Sequence, residues 1–380
     1  MYALTNCDIF TGKQVIHDKS ILIKGNTIVD ILDEDSLTDE IEIIDLGRKS
    51  VAPGFIDLQV NGGGGKLFND APTKETILDI AKAHQQFGTT NFLPTLITDS
   101  REKIQEAIQS VSSLIKNGDK AILGIHLEGP FINPKKAGVH NKEFIQTLSD
   151  TDLSLLSSLD NGKTLITLAP EMCKSELLSQ LSSQGILISA GHSDATLEDI
   201  QNAVKAGLSC ATHLFNAMSQ FSSREPGLVG AALVEDDLYC GIIVDGFHVH
   251  FSSVKIAWSA KKKGKMFIVT DSMPPVGSHE CNFQLGPYSI RVENGKCVTG
   301  DDILAGSALD MATAVRNCIQ KVGIPKDEAL RMASTYPAHY LSLNNKLGYI
   351  APGYEANLTI FNNEINISSV VVNGNLIHFN

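Results

Sequence analysis

Short apolar runs and segments of helical period alternate along most of this chain. Strand-like runs stand at FIDLQV (55–60), NFLPTL (91–96), AILGIHL (121–127), TLITLA (164–169), ILISA (186–190), LSCATHL (208–214), YCGIIVD (239–245) and MFIVT (266–270). Between them, KETILDIAKAHQQF (74–87) and EKIQEAIQSVSSLIK (102–116) repeat apolar residues at helical spacing. Asp194 or Thr196 suits the cap of a helix over LEDIQNAVKA, ahead of Gly207. Ser307 and Asp310 form a capping-box pattern opening ALDMATAVRNCIQK, and Pro337 is expected to stop the helix before it. Continuous apolar strands separated by helices imply a parallel sheet covered on both faces. Eight such units over about 250 to 300 residues fit an α/β fold of the (β/α)8, TIM-like barrel type. A doubly wound open sheet is the alternative. Against it, the first strand runs into GGGG (62–65), which reads as a flexible loop and not as a dinucleotide fingerprint.

The two ends of the chain have another texture. YALTNCDIF, SILIKGNTIVDIL and IEIIDLG are short β-type runs, with Gly25-Asn26 placed as a hairpin turn. NLTIF and SSVVVNGNLIHF repeat that character at the C-terminus. Neither end has the apolar surface for a core of its own. Together they are expected to form one small β-sandwich domain, residues 1–52 with 351–380, beside a barrel over 53–350. Asn294-Gly295, between YSIRV and KCV, predicts a further small hairpin near the barrel mouth, ahead of the loop ILAGS.

Charge narrows the function. The formal net charge is −12, which argues against nucleic acid or an anionic membrane as partner. It leaves room for a small anionic substrate held by local cations. The seven cysteines are scattered without a CxxC, as in reduced cytosolic proteins. The N-terminus lacks a signal-peptide pattern, and no run is long enough to span a bilayer. A soluble, cytoplasmic protein is expected.

Barrel active sites sit at the C-terminal ends of the strands. Asp57, Gln59 and Asn61 share one face of the first strand, and Glu128 ends the third, before Gly129-Pro130. His192 follows the fifth strand. The sixth strand carries His213, with Asn216 just after it, the seventh runs into His248 and His250, and the eighth ends at Asp271. Singly, each has a plain structural reading: Glu128 as an edge residue or cap, Asp271 as a cap or a partner of a histidine, each imidazole as a surface or core group. Four imidazoles and two carboxylates at one end of successive strands favour a metal or acid–base site, because buried charges must be paired or coordinated. One Glu and two His suit a three-ligand zinc site with a position left for water. An adjacent Asp271 is then placed as general base.

PGFIDLQVNG (53–62), HLEGPF (126–131), GVHN (138–141), AGHSDA (190–195), THLFNAM (212–218), DGFHVH (245–250), VTDSM (269–273) and LAGS (304–307) span the barrel in order. In these motifs the chain resembles the N-acetylglucosamine-6-phosphate deacetylase family of the amidohydrolase superfamily. The resemblance implies hydrolysis of the N-acetyl group to glucosamine 6-phosphate and acetate, in amino-sugar catabolism or cell-wall sugar recycling. It implies Glu128, His192 and His213 as metal ligands and Asp271 as the catalytic acid–base. Val139 and His140 match substrate contacts, with His140 able to polarise the acetamide carbonyl. Asn216 and Ala217 match the sugar-binding segment, Arg224 and His248 the phosphate contacts, and Leu304, Ala305 and Gly306 a loop over the ligand. In some relatives the arginine comes from a neighbouring subunit, which implies a homodimer or homotetramer. Read by itself, Arg224 lies in a loop where most arginines are simply solvated, though arginine suits phosphate geometry. Many superfamily members carry His-x-His where this chain has Gln59 and Asn61. Amides are poor zinc ligands beside imidazole, so one divalent metal per subunit is expected, zinc first, with iron or another ion open. Gln59 and Asn61 are left as possible contacts to substrate or water. Two alternatives remain: a sibling amidohydrolase acting on another acylated amino sugar or a cyclic amide, and a non-catalytic barrel that binds a sugar phosphate.

Overall fold

The structure, a computed structural model, describes residues 1–379. Among them, eight parallel strands form the central sheet: β1 (Phe55–Val60), β2 (Thr89–Ile97), β3 (Gly124–Glu128), β4 (Lys163–Leu168), β5 (Leu187–Ala190), β6 (Leu208–Ala211), β7 (Tyr239–Ile242) and β8 (Met266–Ile268). Each is hydrogen-bonded to the next in sequence. The first and eighth strands meet just beyond β8. Val60 bridges Ser272 in parallel, the Asp271 N–H donates to the Gln59 carbonyl at 2.9 Å, and the Asn61 N–H donates to the Ser272 carbonyl at 3.0 Å. These contacts make a nearly closed barrel and dispose of the open-sheet alternative, whose edge strands could not meet.

The helices α1 (Lys74–Gln85), α2 (Arg101–Lys116), α3 (Asp150–Leu156), α4 (Ser175–Ser183), α5 (Leu197–Lys205), α6 (Gly227–Val234), α7 (Phe251–Ala260) and α8 (Met311–Asn317) follow the eight strands in turn. Every residue of β1 and β2 is buried, as expected of strands covered on both faces. The large side chains Phe55, Phe92 and Phe267 are fully enclosed in one core that joins the strands to the surrounding helices. Burying each stabilises the fold by roughly 1.5–3 kcal/mol.

Several local features differ from the sequence reading. The last three strands end two to three residues short of the apolar runs, because the chain there bends into the mouth. The helix at 197–205 is capped by Thr196 and not Asp194: its hydroxyl accepts from the Asp199 N–H, and Asp199 Oδ2 accepts from the Thr196 N–H at 2.9 Å. Asp310 alone caps α8, while Ser307 sits in a strand and donates its hydroxyl to the Thr270 carbonyl. Pro337 lies inside a helix, Thr335–Tyr340, in its first turn, where no N–H partner is lost. The preceding helix already ends at Ala333. The GGGG stretch is no flexible loop. Gly62–Gly63 pairs with Lys66–Leu67, and a Cβ on Gly62 would lie 2.4 Å from the Lys66 carbonyl oxygen.

The terminal segments form a seven-stranded sheet in the order 375–378, 367–372, 358–361, 42–53, 2–10, 15–24, 27–32. The two ends of the chain join where Leu358–Phe361 pairs antiparallel with 50–53. Leu4, Ile21, Ile23, Leu358, Ile360 and Val371 belong to its own core. Lys24 faces Thr27 across the Gly25-Asn26 turn, as expected. Asn294 and Gly295 both take positive φ and join 288–293 to 296–298, within a four-stranded antiparallel sheet that ends at Leu304–Ser307. Among the described residues no helix is long and apolar enough to cross a membrane.

Thr196→Ala removes both hydroxyl bonds of the reciprocal cap. It should lower stability by about 1 kcal/mol, read as a reduced denaturation midpoint at unchanged slope.

Candidate active site

A cavity of about 520 Å³ opens at the C-terminal mouth of the barrel. Glu128, Val139, His140, His192, His213, Asn216, Ala217, His248, Asp271, Leu304, Gly306 and Asn61 all line it. The motifs found along the sequence therefore converge in space.

At its floor Glu128 ends β3, with His192 just beyond β5 and His213 just beyond β6. Glu128 Oε1 lies 3.0 Å from His192 Nε2 and 2.9 Å from His213 Nε2. The two Nε2 atoms are 3.2 Å apart. His192 Nδ1 stands 2.8 Å from the Lys136 carbonyl, which can only accept, so Nδ1 carries the hydrogen. One carboxylate oxygen and two imidazole nitrogens thus converge within 3.2 Å of one another, an arrangement that a bound cation would satisfy. A carboxylate and two imidazoles form the donor set of zinc and similar divalent ions. These residues fit a metal. The ligand atoms of Glu128, His140 and His192 also lie within 4.8 Å of one another, but His140 Nε2 is 4.0 Å from Glu128 Oε1. The shorter contacts favour His213 as the third ligand and leave His140 beside the set, its Nδ1 2.7 Å from Thr98 Oγ1.

Burial pushes the Glu128 carboxyl up, but hydrogen bonds and charge from His192 and His213 outweigh it and hold it well below the usual range. His140 is pushed down to about 3 by burial and by the nearby His192. Asp271 is raised to about 6 by burial and the Glu128 charge, against the pull of His213, His248 and the Asn61 amide. Asp271 Oδ1 accepts from Gln59 Nε2 at 3.1 Å and from Asn61 Nδ2 at 2.6 Å. Behind them Asp57 is fully buried. It accepts from the Gln59 and Thr270 N–H groups and from the Thr270 hydroxyl. Burial pushes its carboxyl up to about 7.

His192, His213, Ala217 and Asp271 all take positive φ, between 32° and 52°. For non-glycine residues this costs on the order of 1–3 kcal/mol each. The strain is concentrated where the strands turn out into the mouth.

Other expected residues fall elsewhere. Arg224 is exposed on its loop and outside the lining of this cavity. Ala305 is fully buried in the core of the four-stranded sheet, unlike its neighbours Leu304 and Gly306. His250 is exposed and caps α7, its ring accepting from the Ser252 N–H, so the fourth imidazole at the mouth is His140. His248 Nδ1 pairs with Asp245 Oδ2 at 2.6 Å. His126 turns into the barrel, between the Leu58 carbonyl and the Thr167 hydroxyl. The sequence reading missed Lys135, Lys136 and Asp302 at the cavity rim. Lys136 contributes to the histidine through its backbone, which no side-chain pattern reveals.

Residues 50–377 match the family model described as Amidohydrolase family, and residues 1–49 match the NagA composite domain. The chain belongs to the amidohydrolase family. This amidohydrolase is 37% identical, over 98% of both chains, to the N-acetylglucosamine-6-phosphate deacetylase of Haemophilus influenzae. It is 41% identical to the N-acetylgalactosamine-6-phosphate deacetylase of a Shewanella species, over 87% of this chain and 83% of that one. A crystal structure of N-acetylglucosamine-6-phosphate deacetylase from Pasteurella multocida matches it with a TM-score of 0.96 at 37% identity, covering all of both chains.

Two outcomes test the site. Metal-stripped protein should gain thermal stability on addition of zinc, by about 2.7 kcal/mol at a hundredfold excess over Kd, and Glu128→Ala should lose that gain. Asp57 bears on pH. Its folded pKa is raised from 3.8 to about 7, so between those values the unfolded chain releases a proton that the folded chain keeps. Its stabilising share is full below pH 4 and lost as pH rises through 7. Asp57→Asn should therefore gain stability relative to the parent between pH 4 and 7, and urea unfolding across that range measures it.

Proposed function

We propose that this amidohydrolase removes the N-acetyl group of N-acetylglucosamine 6-phosphate, giving glucosamine 6-phosphate and acetate in amino-sugar catabolism and cell-wall sugar recycling. The observation that carries the reading is the convergence of Glu128, His192 and His213 at 2.9–3.2 Å in a cavity also lined by Asp271. Those three side chains would hold one divalent metal per subunit, zinc by the chemistry of the donors. Bound there, such an ion acidifies a water and polarises the amide carbonyl.

The chain's own groups do the rest. Asp271 accepts the proton of the attacking water. With a carboxyl raised to about 6 it is basic enough to take that proton and acidic enough to return it to the leaving nitrogen. His140, kept neutral by burial, donates from Nε2 to the acetamide oxygen when the Thr98 hydroxyl donates to its Nδ1. Val139, Asn216 and Ala217 position the sugar, and Leu304 to Gly306 cover it, Ala305 acting by holding the turn. His248 and Arg224 take the phosphate. Because Arg224 lies outside the cavity of its own chain, it serves the neighbouring subunit of a homodimer or homotetramer. Residues 1–52 and 351–380 act as a supporting β domain to a catalytic barrel over 53–350, in a cytoplasmic enzyme.

The resemblance to the Shewanella protein supports a second reading in which the sugar is the C4 epimer. Acetate release from N-acetylglucosamine 6-phosphate and N-acetylgalactosamine 6-phosphate, measured side by side, decides between them. Asp271→Asn should lower turnover by about 10² to 10⁴ while keeping the metal. Turnover near the parent's would remove Asp271 from its role.

A further inference from the structure

The positions that carry histidines in many superfamily members hold amides here, and the structure gives those amides a partner. Gln59 near the end of β1 and Asn61 just beyond it lie two apart, and their side chains leave the same face. The backbone fixes that face against the segment after β8. The Asp271 N–H donates to the Gln59 carbonyl and the Asn61 N–H to the Ser272 carbonyl. Both amide side chains then reach the same atom, Asp271 Oδ1, at 3.1 Å and 2.6 Å. A carboxylate offers no hydrogen to an amide oxygen, so each amide must present its NH2. The Asn61 Oδ1 that faces away is buried and has no partner among the described residues. Asp271 Oδ2 likewise has none. One oxygen of the carboxylate is tied twice, and the other is left to the cavity.

We infer that Gln59 and Asn61 are positioning residues, a pair of neutral donors that clamp Asp271 through one oxygen and point the other at the reacting atoms. Asp57 supports the clamp from behind, through the backbone of Gln59 and Thr270. Asp271 itself takes a positive φ, a conformation that persists only where the surroundings over-determine it, and its backbone is held by the Gln59 carbonyl and the Ser307 N–H. Two amides clamp the carboxylate without adding charge and without drawing a second cation to the first strand. The inference rests on Asp271 as the proton carrier of the proposed reaction.

Asn61→Leu and Gln59→Met keep shape and remove the donor. Each should lower kcat by about tenfold to a hundredfold, as for a misplaced catalytic group. KM for the phosphorylated sugar should stay within about threefold, and bound metal per subunit should be unchanged. A raised KM at unchanged kcat would make the amides substrate contacts and overturn the clamp. Loss of metal would make them part of the ligand set, and unchanged kcat would deny them any role. Should Asn61→Leu fail to fold, Gln59→Met carries the same test. A crystal structure of either variant reads the clamp without activity: the Asp271 carboxylate should rotate, and an unmoved carboxylate overturns the inference even if the substrate proves to be another sugar. An inactive parent enzyme would count against the function, not against the clamp.

Discussion

Glu128 is an almost wholly enclosed carboxylate at the end of a barrel strand, and an ion there is unfavourable by several kcal/mol unless something compensates it. Much of the mouth follows from that constraint. Two imidazoles must come within hydrogen-bond distance, which fixes where β5 and β6 end and how the chain leaves them. His192 must then be held by the carbonyl at 136, and His213 must accept a left-handed backbone. The Glu128 charge in turn raises Asp271, so the basicity of that carboxylate depends in part on the group that would hold a metal. Removing the carboxylate would therefore disturb three residues at once, and their effects should not add.

The barrel was legible because its strands are buried on both faces and its helices are exposed on one, so periodicity changes at nearly every boundary. The residues at strand ends were legible for a related reason: polar side chains directly after apolar runs have few places to be except the mouth. What periodicity misses is equally physical. Helix 227–234, GLVGAALV, is apolar on every side and has no face to announce. The order of GGGG comes from contacts with residues some two hundred positions away. Lys136 acts through a carbonyl. His250 and His248 are equivalent by spacing, and only the start of α7 assigns one of them to a cap. Ala305 belongs to a motif whose neighbours reach the cavity, but strand alternation turns it inward.

Closure of the barrel and the chemistry share the same few bonds. The backbone contacts that join β1 to residues 271–272 also set the register of Gln59 and Asn61 against Asp271. A slip of one residue would send both amides to the opposite face. Stability and positioning are thus written into the same ladder, which leaves little freedom to alter one alone.

The segment 133–140 has a double attachment. Its carbonyl at Lys136 orients His192, and Val139 and His140, three and four residues on, line the cavity. Whatever orders this strap for one purpose has already met the entropic cost of ordering it for the other. If the proposed ion and sugar bind here, their affinities are linked through a few residues of backbone, and by reciprocity each would change the other by the same factor.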